Sequence, residues 1–403
     1  GGPTGNPISA RYGSEYPWTS NIKWECVFNI LDYGGVADGN YSNSTGTDNV
    51  SAFNAAQDAA VANGGGVVYF PSGTYYFSDH LYIKDGVVIR GDAPSVAEAT
   101  NASFDPPSNL VFPKYTFTES GNGTDNSTAF KFIYLDVDDA DIASNVGVVN
   151  VDVNRAGINL YASDKANATG ENMVIFGVRT NNVGKPTPGV PDLNLGQNAY
   201  QRHCYRFTFN INAYNKKNIL VANTRHNDNI TDTYSYNSYI VDDGGTALNL
   251  TDGKAKFNFA EHYGIEVGQG NGSCSAGTPT TCPENFREGI VIRDNYVYHE
   301  MRVAILARGQ GLVIKDNVIR DKNNKVAWIH PVGTRITNNS TTMENRGIDW
   351  SGWDVTVSGN DLEVYRHLLK DGPYMSVDGE GILLQECCGG STVNGVDIVN
   401  NFG

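Results

Sequence analysis

The chain has 403 residues, and 44 Asp and Glu residues outnumber 29 Lys and Arg residues, giving a formal net charge of -15. Hydrophobic residues make up 40% of the chain, enough for a large core, which excludes an intrinsically disordered protein. The negative charge argues against a nucleic-acid binder. No run approaches the roughly 18 consecutive apolar residues of a membrane span.

The first elements predicted from the sequence lie between residues 32 and 92. A helix is expected after Asp48, a suitable N-cap, because Phe53, Ala56 and Ala60 then share one face. Three short apolar runs separated by turn residues indicate strands. These strands are expected at 67–70, 74–77 and 86–91.

This segment carries the motifs DYGG (32–35), AFNAA (52–56) and GGGVVYFPSGTY (64–75). Through them it resembles the N-terminal cap and first coils of the pectate-lyase-like right-handed parallel β-helices. The resemblance implies an all-β fold, a right-handed parallel β-helix with an N-terminal capping α-helix. It also implies a superfamily that contains polysaccharide hydrolases and lyases.

Apolar strands that end in Asn recur along the second half of the chain. They end at Asn295, Asn317, Asn338 and Asn360, at spacings of 22, 21 and 22 residues, and Asn181 and Asn223 differ by 42. A repeat of this length with short strands predicts a solenoid. We expect these Asn side chains to stack at a tight turn in a structural role.

One repeat pattern along the chain predicts a single domain. Residues 1–92 would form the cap and first coils, and 93–403 would continue the same β-helix. The pattern runs to Asn401 without a capping helix, so we expect an uncapped C-terminal end that is open to self-association.

A second strand is predicted in each repeat, and five runs align: 262–268, 301–307, 324–330, 345–351 and 379–385. Their fourth and sixth positions are apolar and are expected to face inward, so the fifth and seventh would face outward. The outward residues are then Glu266, Ile305, Trp328, Asp349 and Leu383, followed by Gly268, Ala307, His330, Ser351 and Gln385.

This outward surface has the residue types of a carbohydrate groove. Aromatic faces stack on sugar rings, and charged side chains bind hydroxyls or carboxylates. The residues expected to bind a polysaccharide are Trp328, Arg302, Arg308, Lys325, Arg346 and Gln385. In the alternative interpretation, Trp328 packs beneath a loop and His330 is an ordinary surface residue.

Glycoside hydrolysis needs two carboxylates. The alignment places Glu266 and Asp349 three coils apart, or roughly 14 Å at ~4.8 Å per coil, too far for a direct pair. The predicted pairs are therefore Asp349 with Glu380 or Glu386, and Asp242 or Asp243 with Glu266. In the alternative interpretation, each of these carboxylates is simply solvated.

The pair Asp242-Asp243 followed by 261–265 is similar to two motifs of the polygalacturonases. The sequence departs from that family at 223–225, where Asn-Thr-Arg replaces Asn-Thr-Asp, and no Arg-Ile-Lys follows. The resemblance therefore implies a related hydrolase and not a polygalacturonase.

Two other functions fit the same repeats. A lyase acting by β-elimination on an acidic polysaccharide would use His330 as the base and Arg302, Arg308 and Lys325 to stabilise the enolate. Residues 287–370 hold 12 basic and 10 acidic residues, against 17 and 34 elsewhere, so an acidic substrate is compatible with the local charge. No cofactor is expected for a hydrolase, whereas a lyase would use Ca²⁺. A non-catalytic structural or adhesive solenoid is the third candidate.

The six cysteines bear on the compartment. Cys274 and Cys282 bracket a polar loop and are expected to form a disulfide, and neither has the spacing of a zinc site. The even count, this disulfide and the acidic composition favour a secreted protein, extracellular or periplasmic.

Overall fold

The structure is a computed structural model. It describes residues 2–114, 131–162, 168–183, 208–227, 262–267, 288–298, 303–320, 345–363, 379–384 and 394–400.

Two α-helices, α1 (Pro7–Tyr12) and α2 (Val50–Ala62), and two 3-10 turns, Pro17–Asn21 and Ile30–Tyr33, lie near the N-terminus. The rest of the described chain is mainly short strands. In chain order these are β1 (Val27–Asn29), β2 (Gly66–Phe70), β3 (Gly73–Tyr76), β4 (Leu81–Ile83), β5 (Val87–Gly91), β6 (Ser108–Val111), β7 (Lys131–Leu135), β8 (Val146–Val149), β9 (Asp152–Asn154), β10 (Ala156–Tyr161), β11 (Glu171–Phe176), β12 (Arg179–Asn181), β13 (Thr208–Tyr214), β14 (Lys217–Ala222), β15 (Arg225–Asn227), β16 (His262–Val267), β17 (Glu288–Arg293), β18 (Tyr296–Tyr298), β19 (Val303–Gln310), β20 (Val313–Lys315), β21 (Val318–Arg320), β22 (Asn345–Ser358), β23 (Asp361–Glu363), β24 (Gly379–Leu384) and β25 (Asn394–Val399).

All strand pairings are parallel, and each coil adds one strand to each of three sheets. Sheet 1 runs β1, β2, β5, β8, β11, β14, β17, β20, the second part of β22, and β25. Sheet 2 runs β3, β6, β9, β12, β15, β18, β21, β23. Sheet 3 runs β4, β7, β10, β13, β16, β19, the first part of β22, and β24. The predicted right-handed parallel β-helix is confirmed.

A continuous apolar column lines the inside of sheet 3. One residue from each strand occupies the same register position, and its described members are buried in the core. The column is Leu81, Ile133, Ile158, Ile211, Ile265, Ile305, Ile348 and Ile382. Full burial of each such side chain contributes about 1.5–3 kcal/mol, so this column fixes the register of sheet 3.

Helix α2 forms the predicted N-terminal cap. Phe53, Ala56 and Ala60 are fully buried on its inner face, and the Phe53 ring lies 6.5 Å from that of Phe70. The N-cap is Asn49, one residue beyond the predicted Asp48. The Asp48 carboxylate instead accepts from the backbone N–H groups of Val50 and Ser78, which ties the helix start to the first coil.

The predicted Asn ladder forms at the corner between sheets 1 and 2. Asn295 Nδ2 donates to Asn317 Oδ1 at 3.0 Å, and Asn317 Nδ2 donates to Asn360 Oδ1 at 2.9 Å. Asn317 contacts Asn360 directly, so these two are consecutive rungs. Asn338, which was predicted to lie between them in the ladder, is outside the described residues. Asn181 and Asn223 are not equivalent, since Asn181 pairs with Asn227.

We expect the variant Asn317→Ala to lose about 2 kcal/mol of unfolding free energy. Its side chain also donates to Ile292 O and accepts from Asn295 N, so its removal leaves buried polar groups without partners. Urea unfolding followed by circular dichroism measures the loss. Asn54→Ala, on the exposed face of α2, should leave stability unchanged or slightly raised; equal losses in the two variants would contradict a structural ladder.

Residues 2–24, which we call the N-terminal strap, lie across the outer face of sheet 1. Ile8, Ile22 and Trp24 pack there on an apolar stripe that includes Val88, Val174 and Leu220. Polar contacts hold the strap to later coils. Glu15 accepts from Arg293 Nη1 at 2.8 Å and from Lys315 Nζ at 3.1 Å, and Tyr12 OH donates to Asp294 Oδ2 at 2.8 Å.

Candidate functional site

The outer face of sheet 3 carries a second register column, beside the inner Ile column. Strand side chains alternate between faces, so from β4 to β19 the residues that follow the inward positions point outward, and in β22 and β24 the backbone register alone assigns the positions. We call this set the outer column. Its positions are Tyr82, Tyr134, Asn159, Asn212, Glu266, Leu306, Asp349 and Leu383.

The structure corrects the predicted register of one strand. Ile305 pairs with Ile265 and Ile348 and is buried in the core, so Leu306, and not Ile305, belongs to the outer column. Ala307, predicted to face outward, is also buried in the core. The run 303–307 is apolar throughout, and the alternation alone therefore could not choose between two registers.

No coil lies between β19 and β22, where the repeat at 324–330 was predicted to form one; residues 324–330 lie outside the described residues. Strand β19 pairs directly with β22, from Val303 opposite Arg346 to Gln310 opposite Trp353. Glu266 and Asp349 are therefore two coils apart, with Leu306 between them, and not three. At ~4.8 Å per coil their backbones are about 10 Å apart, which removes the reason for excluding them as a pair.

Other predicted site residues are placed by register or lie outside the described residues. Arg308 pairs with Ser351, two positions along from the outer column. Arg346 pairs with both Val303 and Glu380, while Asp349 pairs with Leu383. The predicted residues outside the described ranges are Asp242, Asp243, Arg302, Lys325, Trp328, His330, Gln385, Glu386, Cys274 and Cys282.

Glu266 occupies an enclosed position on the outer column. It is 1% exposed, between the buried Asn212 and Leu306. Asn212 Nδ2 donates to Asn159 Oδ1 at 3.1 Å, so amides continue the column toward the N-terminal end. Few carboxylates in proteins are buried to this degree, so we treat Glu266 as a candidate functional residue.

Sequence reasoning missed Asn159 and Asn212. The signal was present, since each follows an inward Ile as Glu266 does, in the pairs Ile158-Asn159 and Ile211-Asn212.

An aromatic cluster occupies the N-terminal end of the outer column. The rings of Tyr82 and Tyr134 stack with centroids 5.7 Å apart, and His80 lies 5.1 Å from Tyr134. The His80 Nδ1 atom accepts from the Phe132 N–H at 3.0 Å. Burial, together with the charge of Lys131, lowers the pKa of His80 below its usual 6.5, so the imidazole is neutral at neutral pH. This cluster also had not been predicted from the sequence.

A second charged cluster lies on the outer face of sheet 2. Asp152 is fully buried and accepts from Arg179 Nε at 2.6 Å and from Tyr41 OH at 3.2 Å. Arg179 also pairs with Asp105 at 2.7 Å. Tyr41 and Asp105 belong to the connections beside this face, so the cluster binds these connections to sheet 2.

Among the described residues, no group of three or more His, Cys, Asp or Glu side chains is arranged to hold a metal ion. None of the helices in the described part of the chain is long and apolar enough to cross a membrane.

The chain is similar to several known proteins. Over 82 residues it is 40% identical to the mannuronan C5-epimerase AlgE1 of Azotobacter vinelandii, an alignment that covers 18% of this chain and 5% of AlgE1. Among solved structures, the A-module of A. vinelandii mannuronan C-5 epimerase AlgE4 matches at 13% identity with a TM-score of 0.31, covering 83% of this chain and 75% of that one. The DFA-IIIase of Arthrobacter chlorophenolicus A6 matches at 11% identity with a TM-score of 0.38, covering 85% and 64%.

Residues 27–255, more than half of the chain, match a protein family described as rhamnogalacturonase A/epimerase, pectate lyase-like. This match confirms the superfamily that the N-terminal motifs indicated. The chain therefore belongs to the rhamnogalacturonase A/epimerase family of pectate-lyase-like proteins, a carbohydrate-active group.

Proposed function

We propose that the protein is a secreted enzyme that hydrolyses glycosidic bonds of a polysaccharide, with Glu266 and Asp349 as its carboxylate pair. The observation that carries the proposal is their register: both occupy the outer column of sheet 3, two coils apart. The family match supports a carbohydrate substrate. The even cysteine count and the acidic composition support secretion.

The register of the pair favours an inverting over a retaining mechanism. Inverting enzymes hold their carboxyl groups roughly 6.5–9.5 Å apart, which leaves room for a water molecule, and retaining enzymes hold them about 5 Å apart. The backbone separation of two coils, about 10 Å, is nearer to the first range. Glu266, enclosed beside Asn212 and Leu306, is in the kind of environment that suits a general acid. It would protonate the glycosidic oxygen, while Asp349 takes a proton from the water that attacks the anomeric carbon.

Abstraction of the C5 proton of a uronate is the second candidate. Its support is the similarity to a mannuronan C5-epimerase over 82 residues. Elimination would then cleave the chain, whereas return of a proton to the other face would invert C5 without cleavage. In this reading His330 is the proposed base, Arg302, Arg308 and Lys325 stabilise the enolate, and Ca²⁺ would assist.

A panel of polysaccharides separates these reactions. The purified protein is incubated with rhamnogalacturonan, polygalacturonate, alginate and a neutral glucan, with and without a chelator. We expect new reducing ends, no ultraviolet absorbance from an unsaturated uronate, and no effect of the chelator; proton NMR of the first product should show an inverted anomer. Unsaturated products would show that the reaction is elimination and not hydrolysis. A change of C5 configuration without cleavage would show that it is epimerisation. No reaction on any substrate would favour a non-catalytic solenoid.

A further inference from the structure

We propose that Tyr82 and Tyr134 form a sugar-binding subsite three to four sugar units from Glu266, so that the polysaccharide lies along the axis of the β-helix. The ligand is one pyranose unit of that polysaccharide. This inference rests on the proposed function, because it places the substrate of the same site.

Tyr82 is one of the few large hydrophobic side chains in the described residues that remain exposed, at 41%. Its ring is held from behind by neighbours: Tyr134 stacks on it at an interplanar angle of 22°, and His80 lies 6.0 Å from it. Tyr134 is in turn 5.0 Å from Phe132. Packing fixes these rings before a ligand binds, so binding costs little conformational entropy of the protein side chains.

The chemistry of the cluster matches a pyranose. A tyrosine offers apolar ring surface and a hydroxyl group, and a pyranose offers an apolar face of C–H groups bordered by hydroxyls. The described residues of the cluster carry no net charge, since His80 is neutral at neutral pH and the charge of Lys131 is balanced by that of Asp79, 2.8 Å away. Such a surface selects a sugar ring by shape and hydrogen bonds and does not require a carboxylate on it.

The strand register gives the distance from the two tyrosines to Glu266. Four strand steps separate Tyr82 from Glu266 along the outer column, and three separate Tyr134 from it. At ~4.8 Å per step these are roughly 19 and 14 Å. For a polysaccharide whose units each advance by about one such step, the tyrosines would contact the fourth and third sugars from the acid.

Amide groups fill the interval between the cluster and the acid. Asn159 and Asn212 hold the two intermediate positions of the outer column and are hydrogen-bonded to each other. The column therefore runs without a break from aromatic rings through amides to the carboxylate. This continuity with the candidate site argues for a polysaccharide on the cluster and against a protein partner.

The dependence of activity on substrate length tests the inference. We expect Tyr82→Ala to raise KM about tenfold for oligosaccharides of six or more units from the substrate that the panel identifies. For substrates too short to reach the cluster, KM and kcat should stay unchanged. Tyr82→Phe should lose little, and Leu31→Ala, which removes another exposed apolar side chain at 45% exposure, should behave as wild type. An equal effect on short and long substrates, or no effect on either, would overturn the subsite.

Affinity electrophoresis in gels containing the same polysaccharides keeps this test separate from the proposed reaction. If cleavage is absent but wild-type migration is retarded by a polysaccharide and that of Tyr82→Ala is not, the subsite stands and the hydrolytic mechanism fails. If Tyr82→Ala is retarded as strongly as wild type, the subsite fails whatever the reaction is. Circular dichroism of both variants checks that they are folded.

Discussion

Replacing Glu266 by Gln is expected to lower kcat about 10³-fold on the polysaccharide substrate without unfolding the protein. General acid–base groups typically contribute 10²- to 10⁴-fold to the rate, and an amide of the same shape cannot donate the proton. The enclosing contacts of Asn212 and Leu306 remain available to Gln. Reducing-end assays with the wild type and the variant measure the difference.

Asp349→Asn should cause a loss of similar size, and the double variant should be little worse than either one. Residues that act as a unit show this non-additivity. Glu288→Gln is the matched control, since Glu288 is an exposed carboxylate on sheet 1 that pairs only with Lys217 among the contacts described for it, at 3.1 Å. Full turnover in both single variants would show that the outer column is not the site of the reaction.

Replacing Asp152 by Ala is expected to lower the free energy of unfolding by about 3 kcal/mol, because Arg179 loses its fully buried partner and keeps its contact with Asp105, whose side chain is 63% exposed. Arg179 donates to Asp152 through Nε and Nη2, and Asn181 donates at 3.1 Å. Without the carboxylate, these donors and the Tyr41 hydroxyl lose their common acceptor. Urea unfolding monitored by circular dichroism measures the change.

Sheet 2 supplies a matched control for this prediction. Asp361 pairs with Arg320 on the same outer face, but its side chain is 50% exposed. Exposed ion pairs contribute roughly 0–1 kcal/mol, so Asp361→Ala should fall in that range. If the two alanine variants lose equal stability, burial does not determine the strength of the Asp152 contacts.

The fold could be predicted from the sequence where the local residue pattern and the long-range packing favour the same elements. The cap helix, the first three strands and the rungs Asn295, Asn317 and Asn360 were predictable, because apolar periodicity and turn residues indicate the same elements that the core requires. Asn338 was misleading because the true interval from Asn317 to Asn360 is 43 residues, close to two periods of the shorter coils. One long coil therefore has nearly the same sequence length as two shorter coils.

The candidate site was predictable only in part. Glu266 and Asp349 followed from the alternation after an inward Ile, but their separation depended on a coil count that sequence spacing misjudged. Tyr82 and Tyr134 could not be paired from the sequence, because 52 residues separate two positions that the register brings together. Because the connections between strands differ in length from coil to coil, the two tyrosines show no regular spacing in the sequence.

The N-terminal strap has a consequence for the order in which the molecule is built. Glu15 meets Arg293 and Lys315, residues that follow it by 278 and 300 positions. The polar partners of the strap are therefore synthesised long after the strap itself, whereas part of its apolar stripe, such as Val88, lies in the first coils. In a simple solenoid each coil stabilises only its neighbours. Here the N-terminal strap joins the first coils to much later ones, so coils far apart in the chain share stabilising contacts through it.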